Sequence, residues 1–479
     1  MWPFRKIRKA LRSLPAMVRA RFDAAQTTTD NARHWAMADS LSADGAASAD
    51  VRRKLRERAR YEVANNSYAK GIVLTLANDC VGTGPRLQLL TDDSQTNNTV
   101  EAAFADWSRA VNLAEKLRTM RMAKATDGET FAVLTANPLV DSPVALDVQL
   151  VEADRVASPV LSVFPSDDID GITLDAFGNP QTYTILRDHP GDMLAWKTRY
   201  DRVPADAVVH WFRSDRPDQH RGVPEITPAL PLFAQLRRYT LAVIAAAETA
   251  ADFAAVLFTD SPANGEAQAL EPMDVVSLEK RMATVLPDGW RLGQVEAQQP
   301  TTSYAEFKRE ILNEIARCLN LPYNIAACNS SGYNYASGRL DHQTYFKAIR
   351  VEQAHLAETV LDRIFAVWVY EAMLTTELAS LRTMRSVPHQ WFFDGTEHVD
   401  PAKEANAQAT RLASNTTTLA AEYARQGKDW ETELRQRAKE VALMKELGLS
   451  PGQAAPQAPA PDDEEPGREE EEEEDRAAA

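Results

Sequence analysis

The sequence predicts an α+β chain, mainly α, and three observations carry that prediction. Apolar residues recur at helical spacing through most of the 479 residues, but between 128 and 213 the period falls to two. Within that β-patterned region, Ile172-Thr173-Leu174 and Thr182-Tyr183-Thr184-Ile185-Leu186 flank Asp175-Ala176-Phe177-Gly178-Asn179-Pro180, a hairpin signal with Gly and Asn at the turn. Finally, two strong helical patterns bracket Asn324 to Gly338, fifteen residues without a charge. Structureless loops of that length in compact domains tend to be functional.

Taken in order, residues 1–50 are a basic amphipathic segment and a linker. Trp2, Phe4, Ile7, Leu11, Leu14 and Val18 recur among Arg5, Lys6, Arg8, Lys9 and Arg12, and residues 22–50 are poorly patterned. Val51 to Asn78 reads as helix with a basic start (Arg52, Arg53, Lys54, Arg56, Arg58, Arg60), stopped by Val81-Gly82-Thr83-Gly84-Pro85. That Gly-x-Gly follows a helix, so it is turn chemistry rather than a dinucleotide site. Helices are expected at Val100–Trp107 and Leu113–Asp127. Strands follow at Phe131–Thr135, Ala145–Val151, the hairpin, and Ala207–Phe212. Pro224 to Val256 is the most continuous helical tract and ends rich in alanine. Residues 257–302 break into short pieces around Pro262, Gly265, Pro272, Pro287-Asp288-Gly289 and Gly293. Ser303 and Glu306 form a capping box for a helix carrying Phe307, Ile311, Ile315 and Leu319. Leu340 to Leu374 can be one helix of roughly 50 Å. Pro401–Gln426 and Trp430–Leu447 supply one or two more, before a Pro/Ala linker and an acidic tail.

The length predicts two to four folding units. The net charge is −16, of which residues 462–476 hold −9, and the first 21 residues hold seven Lys/Arg and no acid. The body is thus mildly acidic between a basic head and an acidic tail of the kind that stays solvated. No apolar run approaches the ~18 residues of a membrane span. Cys80, Cys318 and Cys328 are odd in number and lack metal-ligand spacing.

Few residues look catalytic. His355 shares a helix face with Glu352 and Glu358, which reads as a solvated face rather than a metal site. HExxH, Walker A, CxxC and Gly-x-Ser-x-Gly are absent. Ser330, Ser331 and Ser337 have no adjacent histidine. Asp127-Gly128-Glu129 reads as a helix-to-strand turn. No catalytic residue, metal or cofactor is expected. Two alternatives remain open: a hydrolase or nuclease with a site near residues 329–342, using Asp341 and His342, and a nucleic-acid- or membrane-binding protein working through its basic head.

Several segments together resemble the lambda-type portal proteins of tailed double-stranded DNA bacteriophages. In order they are Asn65-Asn66-Ser67-Tyr68-Ala69-Lys70-Gly71, Val81-Gly82-Thr83-Gly84-Pro85, Asp127-Gly128-Glu129-Thr130-Phe131 and Val151-Glu152-Ala153-Asp154-Arg155-Val156. The hairpin after Gly171-Ile172, His189-Pro190-Gly191-Asp192 and Val203–Phe212 come next. Last are Arg216-Pro217-Asp218-Gln219-His220-Arg221-Gly222-Val223-Pro224, Leu319-Asn320-Leu321-Pro322 and Asn334-Tyr335-Ala336-Ser337-Gly338-Arg339. The resemblance covers about residues 50 to 375; the first 50 and those after about 400 match poorly.

The resemblance implies a ring-shaped homo-oligomer, usually a dodecamer, at one capsid vertex, with DNA packaged and ejected through its channel. A β-containing wing would span 51–224. Stem helices at 225–256 and 303–323 would pack through Leu236, Ala245, Ala246, Ala250, Phe307, Ile311 and Ile315. A clip at 257–302 would meet partners through Pro287, Asp288, Gly289 and Trp290. A tunnel loop at 324–338 would present Asn329, Ser330, Ser331, Gly332, Tyr333, Asn334, Tyr335 and Ser337 to DNA. A long helix and return to the wing would occupy 339–400, crown-like helices 401–448, and a disordered tail 449–479. The implied partners are further copies of the chain, the terminase large subunit, head-completion adaptors, major capsid and scaffold proteins, and double-stranded DNA without sequence specificity. No membrane is involved. The product would sit in the virion after assembly in the host bacterial cytoplasm.

Overall fold

In order along the chain, the structure, a computed structural model, describes residues 29, 32–158, 168–192, 199–252, 256–259, 290–293, 303–376, 378, 381–382, 387–395 and 401–448. The basic head, the acidic tail and most of 257–302, including Pro287, Asp288 and Gly289, lie outside them.

The elements are α1 (Ala43–Ala46), α2 (Ala49–Asn65), α3 (Ser67–Val81), β1 (Arg86–Leu89), α4 (Ser94–Ala110) and α5 (Leu113–Asp127). There follow β2 (Glu129–Ala136), β3 (Leu146–Val151), β4 (Asp168–Ile169), β5 (Ile172–Leu174), β6 (Pro180–Leu186), β7 (Tyr200–Pro204) and β8 (Val208–Phe212). The remainder are α6 (Leu230–Asp252), β9 (Val256–Thr259), β10 (Trp290–Gly293), α7 (Ser303–Arg317), α8 (Tyr323–Ala327), α9 (Tyr335–Leu356), α10 (Asp362–Ala372), β11 (His389–Phe392), α11 (Pro401–Ala413), α12 (Leu419–Arg425) and α13 (Trp430–Glu446).

The chain divides into two compact units. The first comprises Met1–Gly82 and Asp106–Met384, the second Thr83–Ala105 and Arg385–Ala479. Residues 51–224, expected as one region, are therefore split, because 83–105 carries β1, and β1 pairs antiparallel with β11 three hundred residues later in sequence. Neither strand was expected: four residues each are too short to show a period.

In the first unit, β2 lies between β3 and β8 in a three-stranded antiparallel sheet, and β4-β5-β6-β7 form a second. Strands β4 and β7 are the unexpected members, β7 pairing Tyr200–Pro204 with Thr182–Leu186. Phe131, Val151, Val156, Ile172, Tyr183, Ile185 and Val208 form one shared core. A separate helical core collects Ala59 of α2, Ile72 and Leu76 of α3, Phe233 and Leu236 of α6, Leu312 and Ile315 of α7, and Tyr345 and Ile349 of α9. The expected helix after the uncharged segment is longer than its pattern indicated. It begins at Tyr335, passes through a π turn at Ala357–Leu361 and continues as α10.

The linker expected at 22–50 is helical from Ala43 to Ala46, with α2 beginning at Ala49. Strands β9 and β10 pair antiparallel within the region expected to be irregular, leaving residues 260–289 between them outside the described set. In the second unit, α11 and α12 are tied by Arg411, which reaches both Glu404 and Glu422. Asp429 caps α13 by accepting from the N–H groups of Glu431 and Thr432.

Candidate functional site

The uncharged segment is not a fifteen-residue loop. Pro322 enters α8, whose Ala326 is buried, and Cys328 ends it in the left-handed region at φ 51°. Asn334 then caps α9 by accepting from the Ser337 N–H at 2.8 Å. Only Asn329 to Asn334 remain as a turn. Within it Asn329 Oδ1 accepts from the Ser331 N–H and hydroxyl at 2.9 and 2.7 Å, and Gly332 takes φ 84°. Asn329, Ser330, Ser331, Gly332, Asn334 and Ser337 are exposed and Tyr333 is half-buried. Tyr335 lies in the first turn of α9, and its side chain is not described. The expected loop residues are thus brought together at one exposed tip, shorter than expected because capping and the buried Leu321 and Ala326 order both of its ends.

The serines do not meet a histidine. The Ser337 hydroxyl donates to the Asn334 carbonyl, Ser331 to Asn329, and the His342 Nε2 faces the Asn324 amide at 2.9 Å. Among the described residues no group of three His, Cys, Asp or Glu could hold a metal ion.

Helix α7, which leads through α8 to this tip, packs against α6. Tyr239 of α6 meets Phe307 of α7 edge-on at 4.7 Å between ring centroids, and the Tyr304 hydroxyl reaches Thr240 at 3.5 Å. Leu236 and Ile315 are buried and Ile311 is half-buried in the core they share. Toward the far end the pair is open. Leu241, Ile244 and Phe307 keep 59, 48 and 47% of their surface, Ala245 is exposed and Ala246 half-buried. The side chain of Ala250, in the alanine stretch expected to let helices approach closely, is not described, nor is that of Trp290 in β10.

The first unit also holds a buried ionic brace that sequence reasoning missed. Glu129, fully buried at the start of β2, accepts from Arg221 Nε and Nη2 at 2.9 and 2.7 Å. It also meets Arg56 at 3.2 Å, His210 Nε2 at 3.2 Å and the Gly222 N–H at 2.9 Å. Arg221 is also fully buried and spends its remaining donors on the Val156 and Asp170 carbonyls. Burial alone would raise the Glu129 pKa, but Arg221 and His210 hold it well below the usual carboxylate range. Burial depresses His210 despite its carboxylate neighbour.

A second group adjoins it in sequence. Glu225 pairs with Arg121 at 2.9 Å and with Lys124 at 3.4 Å, and Lys124 also reaches Glu352. Burial would raise Glu225; Arg121, Lys124 and Arg213 lower it to about 2. The His355 face is thus only partly solvated: Glu358 is exposed as expected, but Glu352 and His355 are not. Glu352 is largely covered, and the Trp211 indole donates to His355 Nδ1 at 3.3 Å.

Backbone geometry locks the brace. Gly128 has φ +90°, and a Cβ there would lie 2.3 Å from the Val223 carbonyl carbon; a Cβ on Gly222 would lie 2.2 Å from the Gly128 oxygen. Two main chains cross at a spacing only glycine permits. Asp127-Gly128-Glu129 is indeed a turn from α5 to β2, but one whose acid anchors the next corner. The legible signal was Arg52, Arg56 and Arg60 at four-residue spacing: one helix face that presents three guanidiniums and so requires acids opposite it. They find Asp170, Glu129 with Asp154, and Asp127 with Asp154.

The brace unites four of the segments that carried the portal resemblance, 127–131, 151–156, 203–212 and 216–224. A sequence profile described as "Phage portal protein, lambda family" matches residues 29–353. The chain belongs to the lambda family of phage portal proteins. The match begins at 29 rather than 50 and ends at 353 rather than 375, so the N-terminal approach to α1 is part of the family pattern. The "Probable portal protein" of Halomonas phage phiHAP-1 (isolate -/Gulf of Mexico/-/2001) is 25% identical over 425 residues, covering 82% of this chain and 81% of its own. Among solved structures, the "Neck of empty GTA particle computed with C6 symmetry" shares 16% identity at a TM-score of 0.45, covering 77% of this chain and 92% of its own. An HK97 family phage portal protein from Corynebacterium diphtheriae shares 11% at 0.27, covering 75% and 97%. As a portal protein the chain is a head–tail connector component of the virion, in a family that is structural rather than enzymatic.

Proposed function

We propose that copies of this portal protein close into a ring at one capsid vertex, that double-stranded DNA enters and leaves through its channel, and that α6, α7 and the turn at 329–334 line or approach that channel. The observation that carries the reading is the family match over 29–353. Two features of the chain support it. The outer part of the α6–α7 pair leaves Leu241, Ile244 and Phe307 uncovered, which suits a stem whose other face belongs to a neighbour in cyclic packing. The tip of the uncharged segment offers amide, hydroxyl and phenol groups but no cation. Each Lys or Arg placed on a phosphate strengthens binding and steepens its salt dependence. A conduit that lets a duplex slide benefits from contacts that touch without gripping.

On this reading the region holding β9 and β10 is the clip, docking the terminase large subunit during packaging and head-completion proteins afterwards. The helices at 401–448 form the crown, and assembly takes place in the host cytoplasm with capsid and scaffold proteins. Electron microscopy of the purified full chain tests the ring: annular particles with a central hole are expected, and monomers at every concentration would overturn it. Ser331→Lys tests the loop. Each lysine reaching a phosphate should steepen the salt dependence of duplex binding by about one unit in the log–log slope; an unchanged slope in assembled rings would remove the turn from the channel.

A further inference from the structure

The approach to α1 is fixed at one end and bare along its length. Its root is tied to the 216–221 corner. The Leu41 carbonyl accepts from Arg216 at 3.0 Å, and Asp44 accepts from the His220 N–H at 3.0 Å and meets its Nδ1 at 2.8 Å. Ser42 caps α1, Ala43 and Ala47 are buried, and Arg52 donates to the Ala47 carbonyl. Upstream the character changes. Residues 32–42 are all exposed, including Trp35 at 51%, Met37 at 92% and Leu41 at 52%. A turn organises them, with the Ala38 N–H on the Trp35 carbonyl at 3.0 Å.

We propose that residues 32–41 form a strap that seats Trp35 and Met37 on a second copy of this chain. The strap lies within the stretch matched by the family profile, yet within its own chain its large apolar side chains are left open to solvent. The area available decides which partner fits. A buried aromatic contributes roughly 150–250 Å², so Trp35 with Met37 and Leu41 supplies far less than the roughly 800 Å² per partner of a stable stand-alone interface. The strap cannot hold a free-standing partner. It suits one already held beside it by another contact, and a neighbouring copy in the proposed ring meets that condition. The brace fixes the root, so the strap leaves every copy at the same place.

The inference rests on the ring reading, and the test separates the two. A photo-crosslinking residue replaces Met37 in the full chain, and isotopically light and heavy preparations are assembled together. Crosslinks joining light to heavy chains are expected. Separately, Trp35→Ser combined with Met37→Ser should raise the concentration at which particles dissociate at least tenfold, with Trp35→Phe restoring most of the loss. If rings form but every crosslink stays within one chain and the double variant dissociates like the parent, the strap is overturned and the ring stands. If no particle forms from the unaltered chain, the ring reading itself has failed.

Discussion

Glu129→Gln should be among the most damaging isosteric changes in this protein. The glutamate is fully buried and faces two covered guanidiniums, Arg221 with no exposed side-chain surface and Arg56 with 5%. Glutamine keeps the shape but removes the charge. One of its two terminal atoms also becomes a donor, pointed at donors: Arg221, Arg56 or the Gly222 N–H. Stranding a buried ion by neutralising its partner costs about 3–5 kcal/mol, a large fraction of the roughly 5–15 kcal/mol that holds a domain together. Arg187→Ala is the control. It removes a two-pronged pair with Asp201 in which both side chains are about half exposed (55 and 49%). Water screens that pair, so the loss should be far smaller than that of Glu129→Gln. Urea unfolding followed by tryptophan fluorescence, with Trp211 against Lys124 as a local reporter, measures both. A loss for Glu129→Gln no larger than that of the exposed control would show that the corner is solvated and that the brace argument is wrong.

Two further outcomes follow from the same geometry. Gly222→Ala should prevent the corner from closing, since its Cβ would meet the Gly128 oxygen at 2.2 Å and neither atom belongs to a flexible side chain; native-like amide-exchange protection at β2 and β8 in the variant would refute the crossing. The two units should also respond to pH in opposite directions. In the second, burial pushes Glu101 up to about 7, helped by Asp429 and Glu431 and opposed by the Leu89 N–H. A carboxyl raised in the folded state contributes stability below its unfolded pKa and loses it as pH rises from about 4.5 to 7. Glu101 is only half-covered, so the effect should be on the order of 1–2 kcal/mol once screening is allowed for, and Glu101→Gln should remove that slope in thermal unfolding. In the first unit Glu225, depressed to about 2, contributes stability above its unfolded value and loses it as pH falls from about 4.5 to 2.

The helices and the central strands were legible because each is long enough to show a pattern: Leu146 to Leu150 alternates, and Phe307, Ile311 and Ile315 repeat every four residues. Strands β1 and β11 were not, because four-residue elements paired across three hundred positions leave no local trace. The extent of the uncharged loop was misread for a related reason. Composition showed polarity, whereas order comes from Asn334 acting as a cap and from two buried apolar residues among the polar ones. The brace was hidden differently. The arginine face of α2 signals that acids lie opposite, but not which ones; the β2–β8 register brings His210 to Glu129, and the crossing of Gly128 and Gly222 brings Arg221. Glu352 was misread as solvated because the sequence gives no sign that Lys124 and Arg121 lie against it.

The buried corner and the turn proposed to meet DNA are therefore under different constraints. Asp127-Gly128-Glu129 and Arg221-Gly222-Val223-Pro224 interlock through ion pairs and a backbone crossing immediately before α6 begins, so little at that corner can change alone. The turn at 329–334 hydrogen-bonds mainly within itself and to its own flanking helices, so its side chains can change without disturbing the cores. A rigid corner fixes where α6 starts, and α7 follows through Tyr239, Phe307 and Ile315. The tip is thereby held at a set position without any requirement on its own sequence beyond Gly332 and the Asn334 cap. On the proposed reading that separation is what a conduit needs: position comes from buried charge at the base, and the tip stays free to be uncharged.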